Sequence, residues 1–264
     1  MRKRIEDKLA RLSVEEDVRI LYAAESGSRA WGFGSPDSDY DVRFIYVREM
    51  TWYLRLRPGR DVVEAGIDSD LIDLSGWDAD KALKLLLKSN PTLYEWLVSP
   101  IVYIEAGGFA ARARMLYEKY ADRQAIAHHY RNIAGGQWRR EIVGKSEVKQ
   151  KKYFYVIRPL LSLQWVRENR VPPPMTIDGL LEHVDVPVSV RHSIEELIAV
   201  KRATPELGLG PRLGVIDDWI EAGLALSPSI PVEGRAADRV ALADEADKLF
   251  LELVGHSGSA GGTT

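Results

Sequence analysis

The chain of 264 residues contains no cysteine. That removes a disulfide framework, a thiolate metal site and a cysteine nucleophile together. Histidine is scarce, with five in all. His128 and His129 are adjacent and therefore point in different helical directions, while His183, His192 and His256 stand apart, so no histidine metal site is expected. No segment approaches the roughly eighteen uninterrupted apolar residues of a membrane span. The basic start, Met1-Arg2-Lys3-Arg4, leads into Ile5-Glu6-Asp7-Lys8 and not into an apolar signal core. The expected location is the cytoplasm, with no membrane partner. A formal net charge of only −3 gives no global attraction for polyanions, so contact with nucleic acid has to come from a local patch.

What is present supports a sizeable core: 45% of residues are hydrophobic and 28% charged. The length suits two domains. The organising stretch is Gly27-Ser28-Arg29-Ala30-Trp31-Gly32-Phe33-Gly34-Ser35-Pro36-Asp37-Ser38-Asp39-Tyr40-Asp41. An apolar run, Ile20 to Ala24, leads into it as a buried strand. Gly27 breaks that strand, and Ser28 to Phe33 have the composition of a short helix opening, whose unpaired N–H groups suit a phosphate. After the turn residues Gly32, Gly34 and Pro36 the chain re-enters a strand, with Asp39 and Asp41 two apart at its head and so on one face. A solvated acidic turn would also explain Asp37 to Asp41. A calcium loop would not: counting from Asp37, the sixth position needs Gly and holds Val42, and the twelfth needs Glu and holds Arg48. A P-loop fails because no Gly-Lys-Ser/Thr follows the glycines.

Gly-Ser, ten residues, then Asp-x-Asp resembles the signature of the DNA polymerase β-like nucleotidyltransferase superfamily. Glu25 to Phe33 and Asp41 to Val47 are closer still to one bacterial subgroup, the RlaP-like nucleotidyltransferases associated with RNA repair. Ser89-Asn90-Pro91, Tyr153-Phe154-Tyr155 and Arg158-Pro159 resemble the same subgroup, so the likeness covers roughly residues 18 to 165. The signature is specific for nucleotidyl transfer as a class and says much less about the acceptor.

The rest of the chain reads as α+β. An amphipathic helix is expected over 5–16 and strands over 18–25, 40–47, 61–65, 69–74 and 99–104. A helix is expected over 78–87, and Pro91 to Val98 is expected to form a further short one. The resemblance implies a polymerase-β-like palm, a mixed sheet of four to five strands with flanking helices, and a helical domain after it. The expected boundaries are 1–106 for the palm, 107–254 for the helical domain and 255–264 for a disordered Gly/Ser/Thr-rich tail. In the second half, helices are expected over 109–120, 122–143 (interrupted at Gly135-Gly136), 146–170, 176–183, 187–202, 213–225 and 234–254, the third ending at Val171-Pro172-Pro173-Pro174.

Two further features carry chemistry. Leu71-Ile72-Asp73-Leu74 places a carboxylate inside an otherwise apolar strand, which is costly unless it is paired or metal-bound. The superfamily takes a third metal-ligating carboxylate from such a strand, which implies Asp73, with Asp70 in reserve and Asp68 behind it. A strand-end Asp that caps the next helix is the rival reading. Second, Arg139, Arg140, Lys145, Lys149, Lys151, Lys152 and Arg158 fall within twenty residues, interleaved with Trp138, Tyr153, Phe154 and Tyr155. On a helix, Lys145, Lys149 and Lys152 would share a face. Such charge suits a triphosphate or a nucleic-acid backbone, and a ring can stack a base; a solvated basic face with the aromatics in the core is the plain alternative.

The resemblance then implies an enzyme that transfers a nucleoside monophosphate from a nucleoside triphosphate such as ATP. Asp39, Asp41 and Asp73 would hold two Mg²⁺ ions, with Mn²⁺ as a substitute, and Asp73 would take the proton of the acceptor hydroxyl. Gly27, Ser28 and Arg29 would meet the phosphates, Lys149 and Lys152 would add charge to the triphosphate, and Tyr155 would stack the base. An RNA 3′ end is the favoured acceptor. A protein hydroxyl, as in toxin–antitoxin relatives of the superfamily, a small-molecule hydroxyl, and a non-catalytic nucleotide or RNA sensor stand as alternatives.

Overall fold

The computed structural model describes residues 1–57, 59–169, 172–204, 208–226, 230 and 236–255. The first helix, α1 (Arg2–Glu15), sets Ile5, Leu9 and Leu12 on one stripe, and all three are buried. Strand β1 (Arg19–Glu25), the single-turn helix α2 (Gly27–Ala30) and β2 (Tyr40–Val47) follow, then α3 (Met50–Tyr53), β3 (Val62–Ala65) and β4 (Ile72–Asp78). Helices α4 (Ala79–Leu87) and α5 (Pro91–Leu97) lead to β5 (Val102–Glu105) and α6 (Phe109–Tyr120). Asp78 starts α4 by accepting the Asp80 N–H at 2.9 Å, and Asn90 starts α5 by accepting that of Leu93 at 3.2 Å.

The five strands form one mixed sheet in the order β3-β4-β2-β1-β5. Only β2 and β4 run parallel; the other neighbours are antiparallel. On one face, Val42, Phe44 and Tyr46 of β2 with Ile72 and Leu74 of β4 pack into one core with Ile5, Leu9 and Leu12 of α1. Alternation then sends Asp41, Arg43 and Asp73 to the opposite face. Strand β4 begins at Ile72, three residues later than the expected start at Ser69, because Asp68 to Leu71 form a turn in which the Asp68 carboxylate accepts the N–H groups of Asp70 and Ile72.

The remaining elements are α7 (Arg123–Glu141), β6 (Glu147–Lys149), a 3₁₀ turn (Gln150–Tyr153), α8 (Phe154–Glu168), α9 (Ile177–His183), α10 (Val188–Ala203), β7 (Leu209–Pro211), α11 (Gly214–Ala225) and α12 (Ala236–Gly255). Two sequence expectations change here. Helix α7 runs through Gly135-Gly136 without a break; Ala134, Gly135 and Trp138 are buried, and packing outweighs the roughly 1 kcal/mol that each helical glycine costs. The expected helix over 146–170 begins only at Phe154, because Glu147–Lys149 pairs with Leu209–Pro211 as a two-stranded ribbon. Residue 171, within the expected proline stop, and residues 256–264, within the expected disordered tail, lie outside the described residues.

By contacts the chain forms two units. The first holds Met1–Gly27, Asp39–Ala121 and the described residues from Ala236 onward, so the five-stranded sheet keeps α6 and α12 with it. Helix α12 packs on α4 and α6, with Leu242, Ala246, Leu249 and Leu253 buried. The second unit holds Ser28–Ser38 together with the described residues from Asp122 to Ile230. The fold is therefore α+β: a five-stranded mixed sheet with flanking helices, followed by a helical part that carries one short ribbon.

Candidate active site

In the first unit, parallel pairing of β2 with β4 sets Asp41 directly beside Asp73. One Arg43 Nη donates to both carboxylates, at 3.0 Å to Asp41 and 2.8 Å to Asp73. The other Nη donates to the carbonyls of Val42 and Asp73, both at 3.2 Å. Asp39 lies one residue ahead of β2 and is exposed. Burial pushes the Asp41 carboxyl above the ordinary carboxylate range; Arg43 pulls it down, and Asp73 and Asp39 push it up. The three carboxylates therefore share one electrostatic neighbourhood. The reserve candidate Asp70 is placed elsewhere: it pairs with Arg4 and Lys8 of α1, as Asp68 does with Lys8.

Two neighbours fix Asp41. Gly27 has φ +59°, and a Cβ built there would stand 1.9 Å from Asp41 Oδ2, so only glycine leaves room for that carboxylate. The wholly buried Glu25 accepts the Asp41 N–H at 2.7 Å and also the Tyr103 hydroxyl. Burial, then Glu25, raises the Tyr103 hydroxyl well above its ordinary value, so it stays the donor.

In the second unit, the segment Ser28–Ser38 is anchored by residues far along the chain. Phe33 stacks on Phe154 at 4.3 Å. The Trp31 carbonyl accepts the Ile177 N–H at 2.9 Å, Arg202 donates to the Gly32 carbonyl at 2.6 Å, and Lys201 donates to Ser35 Oγ at 2.5 Å. Arg29 donates to the carbonyls of Ser38 and Pro36, at 2.6 and 3.2 Å, so its guanidinium closes the loop that contains it. Tyr155, 38% exposed, meets Trp31 edge-on at 5.9 Å, and Lys152 Nζ lies 5.4 Å from the Tyr155 ring.

The shared lysine face expected from a helix is not formed. Lys145 lies in a turn, Lys149 in β6 and Lys152 in the 3₁₀ turn. Lys145 and Lys152 both lie within 4 Å of Glu141, and Tyr153 and Phe154 are core residues. Sequence reasoning missed Arg43, Glu25, Lys201 and Arg202. Arg43 was within reach of it, because a residue two beyond Asp41 on a strand shares its face; the other three are tertiary partners with no local signal.

The chain matches the RNA repair pathway DNA polymerase beta family (RlaP) over residues 1–252. It belongs to that family. The uncharacterized protein YcgL of Bacillus subtilis (strain 168) is 41% identical over 263 residues, 100% of both chains. A solved nucleotidyltransferase-like protein from Exiguobacterium sibiricum 255-15 aligns over 96% of this chain and 80% of that one, at 9% identity and a TM-score of 0.32; that likeness carries no weight here. The chain is thus a polymerase-β-like nucleotidyltransferase and takes a nucleotide substrate. Among the described residues no helix is long and apolar enough to cross a membrane.

Nucleotidyltransferases of this fold use divalent metal ions. Among the described residues no three acidic or imidazole side chains form a ready-made metal cluster. The donor set nevertheless fits a hard cation: Asp41 and Asp73 offer oxygen ligands side by side, and both already bind one positive group.

Proposed function

We propose that this nucleotidyltransferase, in the presence of Mg²⁺, moves a nucleoside monophosphate from a nucleoside triphosphate onto an RNA 3′ hydroxyl, in RNA repair. The observation that carries the reading is the side-by-side placement of Asp41 and Asp73 on parallel strands, with Asp39 just ahead of them. The family's description supports RNA repair as the setting.

In this reading Asp39, Asp41 and Asp73 hold the divalent ions. When bound, these would neutralise the triphosphate and make the acceptor hydroxyl more acidic. The acceptor oxygen bonds to the α-phosphorus, the bond from that phosphorus to the bridging oxygen breaks, and pyrophosphate leaves with the electron pair. Asp73 takes the hydroxyl proton. The buried Glu25 and the Cβ-free Gly27 hold Asp41 in place. From the resemblance, Gly27 and Ser28 meet the β- and γ-phosphates. Arg29 shapes the loop that presents them, since its guanidinium is bonded to loop carbonyls. Tyr155 and Lys152 are the base-stacking and charge candidates, because the Lys152 ammonium lies over the Tyr155 ring, which itself meets Trp31 edge-on. Lys149, exposed at the end of a ribbon strand, is the remaining nucleotide contact in the proposal.

The test is pyrophosphate release from each labelled nucleoside triphosphate with Mg²⁺, with and without mixed RNA 3′ ends, for wild type, Asp39→Asn, Asp41→Asn and Asp73→Asn. Label on RNA with the wild type alone is the expected result. Nucleotide consumption without labelled RNA would redirect the acceptor to a protein or small-molecule hydroxyl. Full turnover in any of the three variants would remove the carboxylate mechanism.

A further inference from the structure

We propose that Arg43 is a built-in cation that holds Asp41 and Asp73 together when no metal is bound, and that a divalent ion must displace it to occupy both carboxylates. The inference rests on the reading of these two residues as metal-binding.

The geometry comes from strand periodicity and register. Arg43 is two residues beyond Asp41 and so shares its face, while Asp73 stands beside Asp41 across the β2–β4 pair. One Nη spans the two carboxylates at 3.0 and 2.8 Å. The second Nη is fixed on the Val42 and Asp73 carbonyls, so the guanidinium is locked by four acceptors and is not loosely draped over the site. Its side chain is 19% exposed, against 31% for Asp41 and 33% for Asp73, which limits the water available to replace the contact. Two carboxylates at this spacing repel unless a cation lies between them.

The same features oppose metal. Arg43 occupies Asp41 Oδ1 and Asp73 Oδ2, two of the four oxygens the pair offers, and an arginine cannot vacate the contact by losing its proton. A divalent ion reaching both carboxylates meets a fixed positive charge on its own ligands. Arg43 and a metal that takes these two oxygens therefore exclude one another, and the affinity of the metal-free enzyme for such an ion is lower than its carboxylates alone would give. A triphosphate would bring additional oxygen ligands and negative charge with the ion. Loading is then most favourable as a metal–nucleotide complex, with Arg43 released to bond elsewhere.

The experiment uses the full chain. Mg²⁺ is titrated by calorimetry into wild type, Arg43→Gln and Arg43→Lys, melting temperatures are recorded without metal, and the Arg43 side-chain N–H signals of ¹⁵N-arginine-labelled wild type are followed during the same titration. The expected results are Mg²⁺ affinity raised roughly tenfold or more in Arg43→Gln, the scale of removing a unit charge a few ångströms away in a half-buried site, a lower metal-free melting temperature, and an intermediate Arg43→Lys. In the wild type the Arg43 signals should shift and lose protection as Mg²⁺ binds. Unchanged or weaker affinity in Arg43→Gln, or Arg43 signals unmoved at saturating Mg²⁺, overturns the proposal. If that happens while the wild type labels RNA, the proposed function stands without the latch. If Arg43→Gln binds Mg²⁺ more tightly and the wild type transfers to no acceptor, the latch stands and the function falls.

Discussion

The Asp41 carboxylate occupies the space that a Cβ at Gly27 would need: a methyl group there would come within 1.9 Å of Oδ2. Gly27 also has φ +59°, in the left-handed region that costs a residue with a Cβ about 1–2 kcal/mol. Gly27→Ala should therefore lower stability by at least that amount and displace Asp41, with transfer falling at least about tenfold. Chemical denaturation and pyrophosphate release measure the two effects. Normal turnover by Gly27→Ala would show that Asp41 does not need this position.

Asp41 gives a pH dependence with a definite sign. Its carboxyl is raised on folding, chiefly by burial. A raised carboxyl stabilises the fold fully below its unfolded value, and that contribution disappears as pH rises through the folded value. Metal-free Asp41→Asn should thus melt higher than wild type at neutral pH, and the difference should close on acidification to below the ordinary carboxylate range. It should be inactive throughout, a trade of activity for stability that is common at working sites. A stability gain that persists undiminished in acid would contradict the assigned cause.

Lys201 and Ser35 are 166 residues apart in sequence and 2.5 Å apart in the second unit. Lys201 is buried, and a hydrogen bond from a charged donor contributes about 1.5–3 kcal/mol. Lys201→Met, which keeps the aliphatic stem, should speed amide exchange across residues 28–38 while leaving the sheet unit unchanged. Exchange mass spectrometry reads this directly, and equal protection in the two proteins would count against Lys201 as an anchor.

Tyr155 stands edge-on to Trp31 with Lys152 above its ring. If Tyr155 stacks the base, Tyr155→Ala should raise the nucleotide KM by about tenfold, in line with the roughly 1–3 kcal/mol found for such contacts. Tyr155→Phe should keep the wild-type value. An unchanged KM in Tyr155→Ala would leave the ring a purely structural role.

Helix α12 belongs to the unit that holds the five-stranded sheet. Leu249 of α12 is 1% exposed, Phe250 meets Tyr53 edge-on at 5.1 Å, and Arg19 donates to the Leu253 carbonyl at 2.7 Å. Leu249→Ala should cost about 2–5 kcal/mol and lower the melting of the sheet unit. A loss below 1 kcal/mol would mean that α12 is dispensable to it.

The sequence by itself determined the elements whose signals are local. Strand β2 spans the expected 40–47, since the alternation Asp41-Val42-Arg43-Phe44 sets one register of its two faces and the buried apolar run to Val47 continues it. Helices α9, α10 and α11 lie within a residue or two of expectation because caps, prolines and glycines punctuate them. The family signature was legible for the same reason: Gly27, Ser28, Asp39 and Asp41 sit within fifteen residues of one another. Tertiary structure alone decided what depends on pairing at a distance. Glu147–Lys149 has too little local preference to resist helix or strand, and its partner, Leu209–Pro211, makes it a strand; that pairing separates Lys149 from the face it would have shared with Lys145 and Lys152. Likewise, Asp73 became the neighbour of Asp41 and Asp70 did not, because the parallel β2–β4 register places Asp73 there and leaves Asp70 to Arg4 and Lys8. A two-residue periodicity can say which residues share a face of one strand. Only the sheet says which residue of the next strand stands beside them.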